Sequence, residues 1–433
     1  MRIKSLPKSI GFDDSLEINF QGNILNARFI KYEEDGKIII IKLESGYDLA
    51  IPSKLVSGFK LLKKSEKWPL LKNEKEKPVS NQKPKLSIIT TGGTISSKID
   101  YKTGGVSPSV PPEYYFQIAP GLNKYGPIKI EPIMNVLSEN MGPKEWIQIG
   151  KTAFKEIERG AAGVIVTMGT DTMHFASSAM SFMLNPLSVP IVFTGSQRST
   201  DRGSSDANTN LLLSAITASK WDGGESVICM HADLNDDYNF ILRGNRSRKM
   251  HTERRDAFRP INSQALGKVF QNEKIEKISE YIKKADKTVL NTKIDTSVDI
   301  VISYPGMKGG LIDYLVSKGS HGLVIAGTGF GNLPIAEKSL YDAIKNAGKR
   351  NIPIVVTSQA IYGSTNEFVY TTLRDMSKME NVIYVRDMTT ETAFVKLMFA
   401  LGKTKDMRKL KSMMLQQWAG EIGERVEIGE FLV

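Results

Sequence analysis

Cysteine is almost absent from the sequence, and this limits the kinds of site that the chain can build. Cys229 is the only cysteine in 433 residues, so an internal disulfide and a cysteine-based zinc cluster are excluded. It lies in the apolar run 226–230, where we expect it to be a small buried residue. Histidine is also scarce, and the four that occur do not follow the helical spacing of metal ligands, as in His-x-x-x-His. We therefore expect no resident metal.

Long apolar runs are missing as well. Hydrophobic residues make up 41% of the chain, yet no run approaches the roughly 18 consecutive apolar residues that a membrane span requires. Residues 1–5 are not followed by the apolar segment of a signal peptide. These absences predict a cytoplasmic protein with no membrane partner.

Two nucleotide-binding signatures are missing too. The sequence has no Gly-x-x-x-x-Gly-Lys-Ser/Thr loop, and the glycines of 327–332 lack the spacing of a dinucleotide fingerprint. An ATP site in this chain is therefore not expected, and the loop 327–332 is interpreted as a turn or a subunit contact.

The positive charge of the chain is concentrated in one segment. The formal net charge is +11, and residues 60–85 hold nine lysines and three glutamates, a net +6. Pro69, Pro78 and Pro84, together with few large apolar residues, are typical of a linker. We predict a basic linker over 60–84, either a solvated tether or a patch that contacts the phosphates of a nucleic acid.

The residues before this linker are typical of a small β-barrel. Short alternating runs at 15–20, 24–30 and 37–43 are separated by turns that contain glycine. Nothing in them suggests catalysis, so we predict a β-barrel domain over 1–59 with a docking or structural role.

From residue 85 onward, apolar strands alternate with helices, which indicates an α/β fold with parallel, doubly wound sheets. The strands of a first domain are predicted at 86–90, 163–167, 190–194 and 226–230, and its helices at 144–158, 172–184 and 206–219. A second series of strands is predicted at 298–303, 323–327, 353–357 and 381–385. The charged segment 274–292, a helix or a linker, separates two domains, 85–284 and 298–433.

Two loops at strand ends carry hydroxyl groups beside tight-turn residues. The carboxyl ends of parallel strands are where open α/β sheets keep their sites, and the loops 90–94 and 168–172 both follow predicted strands. Gly93 permits close backbone approach to a substrate. Thr94 is the candidate nucleophile, provided that a neighbouring group takes its proton. The alternative is a plain strand-end turn whose threonines cap the next segment.

The second loop and a basic segment supply the groups that such a nucleophile needs. Thr170 offers a hydroxyl, and Asp171 offers a carboxylate for a substrate α-ammonium, unless it is an ordinary helix cap. Lys249 is the candidate base for Thr170, because a desolvated lysine near other cations can lose its proton. Without the threonine loops, the arginine-rich segment 243–252 would be interpreted as a solvated or phosphate-binding surface. Together the three segments predict a threonine-based amidohydrolase.

These three segments resemble the motifs of the bacterial-type L-asparaginase family, in the same order, from about residue 85 to the C-terminus. The resemblance implies a core of two α/β domains with parallel sheets, active sites at subunit contacts, and no metal or organic cofactor. It also implies that Thr94 is the nucleophile, and that Thr170, Asp171 and Lys249 form the second catalytic group.

The same resemblance implies the substrate-binding residues. The segment 137–141 lies where the family binds the α-carboxylate of the substrate, which assigns Ser138 and Glu139 to binding together with Gly93. The family commonly brings a tyrosine from the mobile loop after the first motif. Here the nearest tyrosine is Tyr101, which stands in a different sequence context, and this is a departure from the family pattern.

A barrel, a linker and asparaginase-like domains in one chain resemble the D subunits of archaeal Glu-tRNA(Gln) amidotransferases. The segments 254–260, 357–363 and 386–388 are similar to that family as well. The resemblance implies hydrolysis of glutamine, with asparagine as the other possible amide, and delivery of ammonia to an E subunit. That subunit would convert Glu-tRNA(Gln) to Gln-tRNA(Gln) with ATP and Mg²⁺, in a heterotetramer of two D and two E subunits around a homodimer of the asparaginase-like core.

Three classes of function therefore compete. The first is the glutaminase subunit of a tRNA-dependent amidotransferase, the second a free-standing cytoplasmic L-asparaginase, and the third a binding protein that kept the fold without the chemistry. The presence of all four catalytic candidates disfavours the third class. The first two share one active site, so the domain over 1–59 and the linker must distinguish them.

Overall fold

The computed structural model describes residues 10, 14–33, 36–43, 48–64, 85–93, 95, 97–99, 106–108, 114–200, 205–425 and 431. The chain forms two compact units, one of residues 1–82 with 200–205 and one of residues 83–199 with 206–433. No helix in the described residues is long and apolar enough to cross a membrane.

The first unit contains a five-stranded antiparallel sheet. Its strands are β1 (Ser15–Phe20), β2 (Asn23–Glu33), β3 (Ile38–Leu43), β4 (Asp48–Pro52) and β5 (Val56–Lys63). They pair in the order β4-β3-β2-β1-β5. Alternate residues of β1, Leu16 and Ile18, are fully buried, because successive side chains of a strand point to opposite faces. The antiparallel sheet agrees with the predicted β domain. β4 and β5 are not paired with each other among the described strands, so closure into a barrel stays a prediction.

The second unit is α/β. Its strands are β6 (Leu86–Thr90), β7 (Ser97–Ile99), β8 (Val106–Pro108), β9 (Ile128–Pro132), β10 (Val164–Thr167), β11 (Ile191–Thr194), β12 (Ser226–His231), β13 (Tyr238–Arg243), β14 (Ser247–Lys249), β15 (Phe258–Pro260), β16 (Gly267–Phe270), β17 (Ile275–Lys277), β18 (Val298–Ile302), β19 (Gly322–Gly327), β20 (Ile354–Ser358) and β21 (Val382–Tyr384). Its helices are α1 (Tyr114–Ile118), α2 (Pro143–Glu158), α3 (Met173–Met183), α4 (Ala207–Lys220), α5 (Gly310–Ser317), α6 (Lys338–Lys349), α7 (Thr371–Ser377), α8 (Thr390–Lys403) and α9 (Met407–Leu415).

An eight-stranded sheet forms the first part of this unit, in the order β17-β16-β13-β12-β11-β10-β6-β9. Its strands from β9 to β12 are parallel, whereas β13, β16 and β17 are antiparallel, so the sheet is mixed. Ile165 packs in one core with α4, and its neighbours Val164 and Val166 pack in another with α2 and α3. Helices therefore cover both faces, which explains why the strands are continuous apolar runs.

A second sheet, β18-β19-β20-β21, is entirely parallel. Its strands confirm the predicted second series to within one or two residues. α5, α6 and α7 cover one face, and α8 covers the other. α8 also packs against α3 of the first part, where Phe182 and Phe399 lie 6.1 Å apart between ring centroids. One apolar core therefore joins the two parts.

The segment 274–292 is not a helix. It contains the strand β17, and its remainder runs along the first part of the unit through backbone hydrogen bonds. Gly224 N donates to Ile282 O at 2.8 Å, and Asn291 N donates to Met183 O at 2.7 Å. Because its backbone groups bond to residues outside the segment, the chain is extended here, and the alternative of a charged helix is wrong.

Candidate active site

Three neighbouring strands place their following loops at one edge of the first sheet. β6, β10 and β11 are adjacent and parallel, so their carboxyl ends open onto the same space. A cavity of about 250 Å³ lies there. It is lined by Gly93, Leu137, Ser138, Glu139, Gly169, Thr170, Asp171, Gln197, Lys249 and Thr252. The structure thus brings together Gly93, Ser138, Glu139, Thr170, Asp171 and Lys249, six of the residues that the sequence predicted for the site.

The first loop requires glycine for its close packing. Gly93 has φ +82°, a left-handed conformation that side chains with a Cβ rarely adopt. A Cβ on Gly93 would also overlap the backbone nitrogen of Gly169 in the second loop. The two loops are therefore in direct backbone contact. Thr94 and Tyr101, predicted for the same loop region, lie outside the described residues, and their roles stay predictions.

Lys249 is the centre of the described polar contacts. It is the last residue of β14, and its Nζ donates to Thr170 Oγ1 at 2.8 Å and to Asp171 Oδ1 at 2.6 Å. The Lys249 side chain is 9% exposed, whereas that of Asp171 is 67% exposed. One ammonium thus connects a buried hydroxyl with a carboxylate that remains open to the cavity.

Asp171 does not act as the cap of the following helix. The residue at the N-cap of α3 is Thr172, and no side-chain cap hydrogen bond is made there. Instead, Thr172 Oγ1 donates to the backbone oxygen of Ser138 at 2.6 Å, which ties the second loop to the short 3₁₀ turn Ser138–Asn140. The carboxylate of Asp171 is therefore available to Lys249 and to a ligand.

A buried cluster lies behind Lys249. His174 on α3 is nearly inaccessible, and burial lowers its pKa to about 4, against the attraction of Glu391. Arg248 Nη1 lies 3.2 Å from Glu391 Oε1, an ion pair between β14 and α8. This ion pair ties the strand that carries Lys249 to α8.

Two cavity residues were missed by the sequence analysis. Gln197 follows β11, and Thr252 follows β14 by three residues. The rule that sites lie at carboxyl strand ends would have indicated Gln197, because the strand 190–194 was itself predicted. Thr252 belongs to the segment 243–252 that the sequence analysis singled out, but no role was predicted for it.

The described residues contain no group of three or more histidine, cysteine, aspartate or glutamate side chains that could hold a metal ion. Cys229, as expected, is fully buried, and burial raises the pKa of its thiol.

Two family descriptions match the second unit. "Asparaginase, N-terminal" matches residues 85–283, and "Glutaminase/Asparaginase C-terminal domain" matches residues 297–414. Among solved structures, a thermostable L-asparaginase from Thermococcus kodakarensis is similar with a TM-score of 0.70 and 28% identity, over 78% of this chain and 99% of its own. A probable cytoplasmic L-asparaginase from Campylobacter jejuni gives a TM-score of 0.66 and 26% identity, over 77% of this chain and 100% of its own.

Other relatives are similar over almost the whole chain. A protein from Sulfurisphaera tokodaii, named as the D subunit of glutamyl-tRNA(Gln) amidotransferase, is 38% identical over 96% of this chain and 93% of its own length. Proteins of the same name from Pyrococcus furiosus and Methanosphaera stadtmanae are 38% and 41% identical, over 98% and 91% of this chain and 95% and 89% of their own lengths.

Proposed function

The chain belongs to the asparaginase family and, within it, to the D subunits of glutamyl-tRNA(Gln) amidotransferase, and from this premise we propose that it hydrolyses glutamine to supply ammonia for tRNA-dependent amidation. The observation that carries the chemistry is the contact of Lys249 with Thr170 and Asp171 inside the cavity. The reaction class is acyl transfer from a carboxamide to a threonine oxygen and then to water.

The proposed steps use groups of this chain alone. A threonine oxygen, of Thr94 or of Thr170, attacks the carboxamide carbon of glutamine, and its proton passes by way of Lys249 Nζ to the departing nitrogen. Ammonia leaves, and an ester of the threonine remains. Water then splits this ester, which releases glutamate and restores the hydroxyl. Asp171 holds the α-ammonium of glutamine, and Ser138 and Glu139 lie on the side of its α-carboxylate.

The extent of the similarity supports an amidotransferase component over a free-standing L-asparaginase. The two L-asparaginase structures match almost their full length but cover only 78% and 77% of this chain. The amidotransferase relatives cover 96% and 98% of it. The asparaginase family descriptions begin at residue 85. The antiparallel sheet of the first unit therefore lies outside those descriptions but within the length that the amidotransferase relatives match.

The partners follow from the same proposal. An E subunit accepts the ammonia and amidates Glu-tRNA(Gln), using ATP and Mg²⁺ that this chain does not bind, in a complex of two D and two E subunits. Such a reaction takes place in the cytoplasm.

We propose that the asparaginase-like core also forms a homodimer. Large apolar side chains are exposed near the carboxyl edge of the second sheet, and exposed apolar patches mark interaction surfaces. These residues are Ile302, Tyr304, Leu311, Tyr314, Phe330, Phe368, Val369 and Tyr370. Phe330 lies in the loop 327–332, where Thr328 and Asn332 exchange backbone hydrogen bonds and form a turn.

Ammonia release from glutamine and from asparagine tests the proposal. The purified chain is assayed alone and then with its E subunit, ATP and Glu-tRNA(Gln). The proposal predicts glutamine hydrolysis that rises on assembly. Strong asparagine hydrolysis by the chain alone, unchanged by the additions, would instead favour a free-standing asparaginase.

A further inference from the structure

Gln197 lies in the cavity on a firmly held loop. Its backbone N donates to both carboxylate oxygens of Asp206 at 3.0 Å, and Asp206 is fully buried. Asn210 Nδ2 donates to the same carboxylate at 2.9 Å and to Gly195 O at 3.0 Å. This buried network fixes the backbone position of Gln197. A preorganised binding group requires such support.

The side-chain amide of Gln197 faces the hydroxyl of Thr170. Lys249 Nζ donates to Thr170 Oγ1 at 2.8 Å, and Thr170 Oγ1 in turn donates to Gln197 Oε1 at 3.5 Å. The amide oxygen Oε1 therefore already has a hydrogen-bond partner in the free protein. The amide nitrogen Nε2 remains for a ligand.

Gln197 Nε2 is buried and has no hydrogen-bond partner in the part of the chain that the structure describes. A buried donor without a partner is rare and unfavourable. Since this donor belongs to a residue that lines the cavity and touches Thr170, a hydrogen-bond acceptor of the substrate is the natural partner.

We propose that Gln197 binds the substrate through Nε2, which donates to the carbonyl oxygen of the carboxamide that is hydrolysed. This inference rests on the proposed glutaminase function and deepens it. Asp171 and the Ser138 turn serve the charged α-groups, whereas Gln197 is beside Thr170, next to the carbon under attack. The carbonyl oxygen gains negative charge as the threonine oxygen adds, so a fixed donor there stabilises the transition state more than the bound substrate.

Two substitutions separate the donor from the rest of the side chain. Gln197→Glu keeps an oxygen for Thr170 and loses the N–H donor, and Gln197→Met loses both. In the assembled complex with E subunit, ATP and Glu-tRNA(Gln), each should lower kcat for glutamine by about 10² and change KM by less than about threefold. Gln264→Glu, the same change at an exposed position outside this cavity, is the control and should leave kcat unchanged.

The pH profile distinguishes a donor from a structural role. Protonation of the new carboxyl in Gln197→Glu restores an O–H donor, so its kcat relative to wild type should rise as pH falls, while the Gln197→Met ratio stays flat. A variant kcat within about threefold of an active wild type, or a flat ratio for both variants, would overturn the assignment to Gln197. A wild-type complex that releases no ammonia from glutamine would instead overturn the proposed function.

Discussion

Lys249 contacts two residues that are adjacent in sequence but differ in their surroundings. Thr170 is buried and Asp171 is exposed to the cavity. A proton transfer benefits from a group shielded from water, whereas the capture of a charged α-ammonium requires a carboxylate that the ligand can reach. The difference in exposure supports the proposal that Thr170 takes part in proton transfer and that Asp171 binds the substrate.

Asp171→Asn should raise the KM for glutamine by about tenfold to a hundredfold, the range of a hydrogen bond to a charged group, with a much smaller change in kcat. Asparagine keeps an oxygen for Lys249 but loses the charge that pairs with the α-ammonium. Steady-state glutaminase kinetics of the assembled complex provide the measurement. A KM equal to that of the wild type would contradict the binding role of Asp171.

His174 should make the stability of the protein depend on pH. Its pKa is lowered from 6.5 to about 4 in the folded protein, so between these values the unfolded chain binds a proton that the folded chain does not. The contribution of His174 to the free energy of unfolding is thus fully present above about pH 6.5 and is lost as pH falls toward about 4. Between pH 7.5 and pH 5 the loss is about 2 kcal/mol. Urea denaturation of wild type and His174→Gln at both pH values measures this loss, which the variant should lack. Equal pH dependence in both proteins would exclude His174 as its source.

The residue types of the site and the pairing of Lys249 with Thr170 could be predicted from the sequence, but the contact of Lys249 with Asp171 and the elements that support it could not. Hydroxyls, a carboxylate and a lysine at strand ends are visible in the sequence. The pairing of Lys249 with both Thr170 and Asp171 depends on the β14–β15 hairpin and on the Arg248–Glu391 ion pair with α8. Such contacts join residues far apart in the chain, and no local pattern encodes them.

At the scale of elements, the site depends on the close approach of two loops. The loop after β6 and the loop after β10 touch through Gly93 and Gly169. Their relative position is therefore set by backbone packing between adjacent parallel strands.

Gly93→Ala should disrupt this approach, and Gly306→Ala provides a matched control. Both glycines have nearly the same backbone angle, φ +82° and +81°, but a Cβ on Gly306 meets nothing within 4 Å. Gly306→Ala should cost only about 1 kcal/mol for the left-handed conformation. Gly93→Ala should cost more and lower glutaminase activity by about 10², because it displaces the loop. Denaturation and kinetics of both variants measure these effects. Equal stability and activity of the two variants would show that loop contact has no role.

The parallel strands could be predicted more fully than the antiparallel ones. Strands covered on both faces are continuous apolar runs, and β6, β10, β11 and β12 were predicted to within one residue. β13 and β17 were not, because their sequences are mixed and their strand conformation depends on pairing with β12 and β16. The same dependence explains why the segment 274–292 is extended.

At the scale of the whole molecule, the proposed chemistry and the proposed assembly role belong to different units. All residues that line the active-site cavity belong to the second unit. The five-stranded sheet belongs to the first, and its place in the amidotransferase relatives suggests a role in the complex. The boundaries predicted for the linker and for the two asparaginase-like domains remain predictions.

Deletion of residues 1–84 should leave glutamine hydrolysis measurable but impair amidation of Glu-tRNA(Gln) by the complex. Every residue that lines the cavity lies after residue 84. Ammonia release and tRNA amidation, assayed side by side for the full chain and the truncation, provide the comparison. Coupled amidation at the wild-type rate would argue against an assembly role for the first unit.

The central claim is that the Lys249 site generates the ammonia used for amidation, and Lys249→Met tests it most directly. In the complex with E subunit, ATP and Glu-tRNA(Gln), amidation is measured with glutamine and with ammonium as the nitrogen source. Lys378→Met, which changes an exposed lysine on the surface, is the control. The account predicts that Lys249→Met lowers glutamine-dependent amidation by about 10² or more and leaves ammonium-dependent amidation intact. Loss of both activities in a folded complex, or full glutamine-dependent activity, would contradict it.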